Sequence, residues 1–137
     1  MTDYTIISKF RNKQQCERLI EKLKAKGRTC FNFCDTPADP NNSDAQPEEQ
    51  MKTFESVKDF YNDKHCQYIF KKDLEGLKNA KKVIMLLPAG TSVHIEAGIA
   101  YGMGKPLILI GETKKPESLY LIFKERYKTI EEFIKSV

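Results

Sequence analysis

Two acids, Asp73 and Glu96, stand where helical periodicity places apolar side chains. Between Cys66 and Lys81, Phe70, Leu74 and Leu77 form one stripe, and Asp73 lies inside it beside Phe70 and Leu77. Between Thr91 and Lys105, Ile99, Ala100 and Met103 follow Glu96 at helical spacing and share its face. A charge turned toward a core is costly unless it has a partner or a task. Placed on helices that flank one strand, the two residues mark a site for carboxylate chemistry. Each also has a plain structural alternative. Glu96 lies near a helix start, where a negative charge offsets the helix dipole by about 0.3–1 kcal/mol, and Asp73 is within reach of a local ion pair with Lys72 or Lys78.

The elements that carry these acids alternate in type along the chain. Tyr4 to Ser8 reads as a short strand, Asn12 to Lys26 as an amphipathic helix closed by Gly27, and Thr29 to Cys34 as a second strand. The short helix-to-strand connection implies a parallel pair with a right-handed crossover. Residues 35 to 47 hold three prolines, two asparagines and three aspartates with almost nothing apolar, so they form a long polar loop of the kind that serves as a lid or stays disordered. A helical pattern then runs from Glu48 to about Tyr61, with Met51, Phe54, Val57 and Tyr61 on one side, followed by the Cys66 to Ala80 helix that carries Asp73. Lys82 to Leu87 is the continuous apolar run of a central parallel strand, and Thr91 or Ser92 is placed to cap the helix that carries Glu96. Pro106 to Ile110 reads as a fourth strand, Leu119 to Phe123 as a fifth, and Ile130 to Val137 as a terminal helix.

This alternation specifies a three-layer α/β architecture. The length of 137 residues, with 40% apolar and 31% charged residues, fits a single domain spanning residues 1 to 137. Lysine and arginine exceed the acids by 23 to 19, but they are scattered among glutamates with no basic stripe, which argues against nucleic acid as a partner. There is no basic-then-apolar leader, and the longest apolar run, Val83 to Leu87, is too short to span a bilayer, so the expectation is a cytoplasmic protein with no membrane partner. The four cysteines lack CxxC spacing and read as reduced core thiols. His65 and Cys66 have no second pair at ligand spacing, so neither a metal nor any other cofactor is expected.

In a doubly wound sheet of order 2-1-3-4-5, the ligand crevice opens outside the carboxyl ends of strands one and three. Those ends are Ser8 to Arg11 and Pro88 to Ser92, where the Glu96 helix also begins and presents unpaired N–H groups to polar oxygens. The familiar motifs of this architecture are missing. The strand ends lack the acids of a receiver domain, Ser8 to Lys13 is not a flavodoxin phosphate loop, and Gly98 to Lys105 has the wrong spacing and place for a P-loop. Its glycines are better explained by close helix–sheet packing and helix termination.

Three segments together resemble the nucleoside 2-deoxyribosyltransferase family and its nucleotide N-glycosidase relatives. They are Tyr4 to Lys13, Lys72 to Leu87 with its Asp-Leu before the central strand, and Gly90 to Ile110 with Glu-x-Gly, small residues and Gly-Lys-Pro. The resemblance covers most of the chain outside residues 35 to 65. It implies a single flavodoxin-like domain with a five-stranded parallel sheet, order 2-1-3-4-5. It also implies a retaining displacement in which Glu96 attacks the anomeric carbon of a (deoxy)ribosyl group as the base departs, and water or a second base then takes the sugar. By the same resemblance Asp73 binds the base or sugar edge and assists proton transfer to the leaving nitrogen. Phe10 matches an aromatic or apolar residue kept against the base, Arg11 an arginine placed near phosphate in the nucleotide hydrolases, and Ser92 a hydroxyl for phosphate or sugar. Ser8, Gly90 and His94 lie within the same segments and complete the expected substrate-binding set.

The sequence departs from the family pattern at Gly90, where deoxyribosyltransferases carry another acid, at His94, where a small or aromatic residue is common, and in the loop after strand one, which lacks the usual glycines. Cleavage of a nucleoside or nucleoside 5′-monophosphate is therefore favoured over base exchange. A catalytically inactive nucleotide-binding or sensory module and an NAD-type glycohydrolase are the rival readings. The resemblance further implies a homo-oligomer, dimer or higher, in which Glu117 to Phe123 completes a neighbour's pocket.

Overall fold

The computed structural model describes all 137 residues. Its centre is a five-stranded, wholly parallel sheet of order β2-β1-β3-β4-β5, formed by β1 (Thr2–Ile7), β2 (Cys30–Asn32), β3 (Ala80–Leu86), β4 (Leu107–Ile110) and β5 (Glu125–Tyr127). Ile6 lies opposite Asn32 on one side and Ile84 on the other, Met85 opposite Leu109, and Ile110 opposite Tyr127. The helices are α1 (Lys13–Ala25), α2 (Pro47–Glu55), α3 (Lys64–Lys78), α4 (Thr91–Gly102) and α5 (Ile130–Ser136). None is long and apolar enough to cross a membrane.

Alternation along β3 explains why its run of apolar residues is unbroken. Ile84 and Leu86 pack with Cys16, Leu19 and Leu23 of α1 and Phe133 of α5. Val83 and Met85 face the other way, onto Leu77 of α3 and Val93, Ala97 and Ala100 of α4. With both faces covered, successive side chains must all be apolar. Close approach is needed where α3 crosses β2: a Cβ on Gly76 would lie 2.6 Å from the Phe31 ring, so no larger residue fits without moving it.

Several elements differ from the sequence reading. The Leu119 to Phe123 segment is a 3-10 turn (Ser118–Ile122) rather than the fifth strand. Phe123 is buried in the core with Tyr120 and Ile122 packed against it, while Leu119 and Leu121 are exposed. The true β5, Glu-Arg-Tyr, is an edge strand paired on one side only, so nothing forces it to be apolar. The helix predicted from Glu48 to Tyr61 stops at Glu55. A second 3-10 turn (Phe60–Asn62) follows, and the Asp63 carboxylate then caps α3 by accepting from the Cys66 N–H at 2.9 Å. The cap of α4 is Gly90, with no side-chain cap bond, rather than Thr91 or Ser92. Gly104, at φ +77°, does end the α4 segment, but Gly98 meets nothing within 4 Å and is not a helix–sheet contact.

The polar loop of residues 35 to 47 is held in place by the Gln50 amide and by His65, whose Nε2 lies 2.7 Å from the Pro37 carbonyl. Gln50 of α2 is 1% exposed; its Oε1 accepts from the Asp39 N–H at 3.2 Å, and its Nε2 donates to the carbonyls of Ser43 at 3.1 Å and Ala45 at 2.9 Å. Ala38 and Asp39 are buried against it. Replacing Gln50 with Ala strands the buried Asp39 N–H and removes the donor from two part-buried carbonyls, and we expect a loss of about 1–3 kcal/mol in urea denaturation, with faster amide exchange confined to residues 35 to 47.

Candidate active site

The carboxyl ends of β1 and β3 open into a cavity of about 400 Å³. It lies at the point where the strand order reverses, as expected for this topology. Ser8, Phe10, Arg11, Asp73, Gly90, Ser92 and Glu96 all line it. Of the residues singled out in the sequence, only His94 does not. Residues 94 and 96 are about 200° apart around a helix, so with Glu96 facing in, His94 faces out. Its Nδ1 lies 2.7 Å from the Gly90 carbonyl and its Nε2 2.7 Å from the Tyr120 hydroxyl, which ties the start of α4 to the Ser118–Ile122 turn.

Asp73 enters the cavity on a line slightly different from the predicted stripe. Phe70 is 63% exposed, and the inward line of α3 runs through Ile69, Asp73 and Leu77. The Lys72 ammonium reaches Glu75 rather than Asp73. Burial alone drives the Asp73 carboxyl up to about 6, with no cation or donor acting on it. Burial also pushes Glu96 up, to about 8, and the neighbouring Asp73 charge adds to the effect. Both acids line one crevice, and the Asp73 charge disfavours ionisation of Glu96, so near neutral pH Glu96 holds the proton and Asp73 the charge.

Two other polar residues at the crevice, Ser8 and Arg11, are engaged with the protein. The Ser8 hydroxyl donates to the Leu86 carbonyl at 2.8 Å and accepts from Asn12 Nδ2 at 3.0 Å, so it fastens the end of β1 to the end of β3. Arg11 is gripped by α2: its Nη2 donates to Glu55 at 2.8 Å and its Nε donates to Glu48. Those contacts raise the guanidinium above its ordinary value and lower both glutamates.

The sequence reading did not identify the apolar wall. Phe33, Ala38, Met51, Phe54 and Ile69 close one side of the cavity, and Lys9 and Thr36 add polar atoms at its edge. The Met51 and Phe54 stripe was visible as an amphipathic face, but its target is the cavity rather than the core. Asn12, which orients Ser8, carried no signal beyond its place at a helix start.

Compared by sequence, the chain matches no family model and no curated protein. By structure it is similar to a 2-deoxyribosyltransferase from the psychrotolerant bacterium Bacillus psychrosaccharolyticus, with a TM-score of 0.66 over 96% of this chain and 89% of that one. The two share one fold. Sequence identity is 19%, so the likeness concerns architecture, including the sheet order and the flanking helices.

Because the folded-state values of both acids lie above their unfolded ones, protonation favours the folded form. That stability is complete below the ordinary carboxylate range and is lost as pH rises through about 6 and then about 8. Glu96→Gln, which stays neutral, should therefore raise the melting temperature relative to wild type, with a larger gain at about pH 9 than at about pH 5.

Proposed function

We propose that the protein cleaves or transfers across the N-glycosidic bond of a nucleoside or nucleoside 5′-monophosphate, with Glu96 as nucleophile and Asp73 as its partner acid. The observation that carries this reading is the coupled carboxyl pair, free of cations, facing a cavity with an aromatic and aliphatic wall. The structural likeness to a 2-deoxyribosyltransferase supports the same chemistry.

A carboxylate suits both halves of such a displacement. As the bond from the anomeric carbon to the base nitrogen lengthens, the sugar acquires oxocarbenium character, which an adjacent anion stabilises and then traps as a glycosyl ester. The electron pair of the breaking bond leaves with the base; the single proton, which rests mainly on Glu96 near neutral pH, passes to Asp73 so that Glu96 attacks as the carboxylate, and Asp73 then delivers it to the leaving nitrogen. Water or a second base then attacks the ester carbon, and Glu96 departs as the carboxylate. Planar bases suit the wall of Phe10, Phe33, Met51 and Phe54, and the uncapped start of α4 at Gly90 to Ser92 offers N–H groups to sugar or phosphate oxygens. The domain from 1 to 137 then acts as one catalytic unit, with the loop of residues 35 to 47 forming part of the base wall.

Base release from a panel of nucleosides and nucleoside 5′-monophosphates, followed by chromatography, tests the assignment. Wild type should release base, and Glu96→Ala should abolish release while keeping its circular dichroism; equal turnover by the variant would remove Glu96 from the reaction. The rate should follow a bell over pH. It should fall below about 6, where the pair takes a second proton and the nucleophile is lost, and above about 8, where the acid is lost. Asp73→Asn removes the proton donor and should lower the rate throughout, and by removing the charge that raises Glu96 it should move the remaining acid limb to lower pH.

A further inference from the structure

The cavity has two chemically distinct ends. Near the start of α4 it is polar, and the Lys9 side chain approaches Gly90 there, with a Cβ on that glycine lying 3.6 Å from Lys9 Cε. The opposite end is the apolar wall of Phe10, Phe33, Met51, Phe54 and Ile69, and the acidic group beside that wall is Glu55, adjacent to Phe54 at the last turn of α2 and paired with Arg11.

We propose that Glu55 reads the base, and that it selects bases bearing an exocyclic amine, at position 4 of a pyrimidine or position 6 of a purine. This rests on the reading of the cavity as a site of N-glycosidic chemistry. A flat heterocycle belongs against the apolar wall, where a few polar groups set its identity. Glu55 is suited to that role in three ways. Its side chain is 54% exposed at the cavity edge, so a ligand reaches it. Its charge is secured by Arg11, which holds Oε1 at 2.8 Å and leaves further lone pairs on both oxygens open. An ionised carboxylate only accepts hydrogen bonds, so it pairs with an amine such as N4 of cytosine and repels the carbonyl that thymine and uracil present at that position. Thr36, at the same end, both donates and accepts and does not discriminate. Arg11 accordingly acts here as the clamp that keeps Glu55 ionised and oriented.

The test compares base release from 2′-deoxycytidine and 2′-deoxyadenosine with release from thymidine and 2′-deoxyuridine. Wild type should favour the amino-bearing pair in kcat/KM by about tenfold or more. Glu55→Gln gives the side chain amide donors for the carbonyl of thymine or uracil and should erase or reverse that ratio, whereas Glu48→Gln should preserve its direction. Equal or greater turnover of thymidine and deoxyuridine by wild type, or a ratio unchanged in Glu55→Gln, would overturn the inference while leaving the glycosidic reaction standing. If no base is released from any substrate, that reaction fails, and calorimetry with free cytosine, adenine, thymine and uracil then decides the role of Glu55. A preference for cytosine and adenine that Glu55→Gln abolishes sustains it, and binding without preference overturns it.

Discussion

Two like-charged groups sharing a half-buried hollow constrain everything else at this site. In water Asp73 and Glu96 would both be ionised near neutrality, but desolvation raises Asp73 to about 6, and desolvation together with the Asp73 charge raises Glu96 to about 8. The pair can thus hold an anion and a proton together, which acid-assisted displacement requires. The arrangement survives only where no cation neutralises it. Arg11 lines the same cavity, yet two carboxylates of α2 hold its guanidinium. If it were free to reach Glu96, the carboxyl would fall back toward its ordinary range and the shared proton would be lost. The exposed Arg11–Glu48–Glu55 cluster adds little to stability. Its effect is to keep a positive charge away from the acid pair.

The scaffold around the pair is fixed largely by uncharged contacts. A parallel sheet with both faces covered gives β1 and β3 a rigid register, and the Ser8 hydroxyl closes the gap between their ends. Gln50 holds the long polar loop against α2, converting a segment with little apolar content into one wall of a cavity. His94, which faces away from the cavity, steadies the start of α4 through Gly90 and Tyr120. Some of these hydrogen bonds are local, as between His94 and Gly90, and others join distant segments, as between Ser8 and Leu86 or His94 and Tyr120. The geometry of the acids therefore depends on groups that take no part in the chemistry.

Hydrophobic periodicity and turn chemistry were sufficient to place the βαβ opening, the central strand and the two inward acids, because each is a local pattern of period two or 3.6, whereas the sheet order followed from the family resemblance. Local pattern failed where partners decide. The segment Leu119 to Phe123 looks like a strand by composition, yet the chain turns there, and the polar Glu125–Tyr127 takes the sheet edge because an edge needs backbone pairing rather than apolar side chains. Phe70 fits the α3 stripe on paper but points to solvent, since a short helix pattern leaves its inward face uncertain by about one residue, 100° of rotation.

The sequence by itself determined the architecture and the identity of the two carboxylates, because burial patterns are written into the spacing of side chains along one element. Only the tertiary structure decided what surrounds them: that Arg11 is bound to α2, that His94 faces outward, that Gln50 builds the wall, and that Glu55 stands beside the apolar end. Those facts concern pairs of groups brought together from separate elements. Their energies depend on distance and desolvation across the fold, quantities that no one-dimensional spacing encodes.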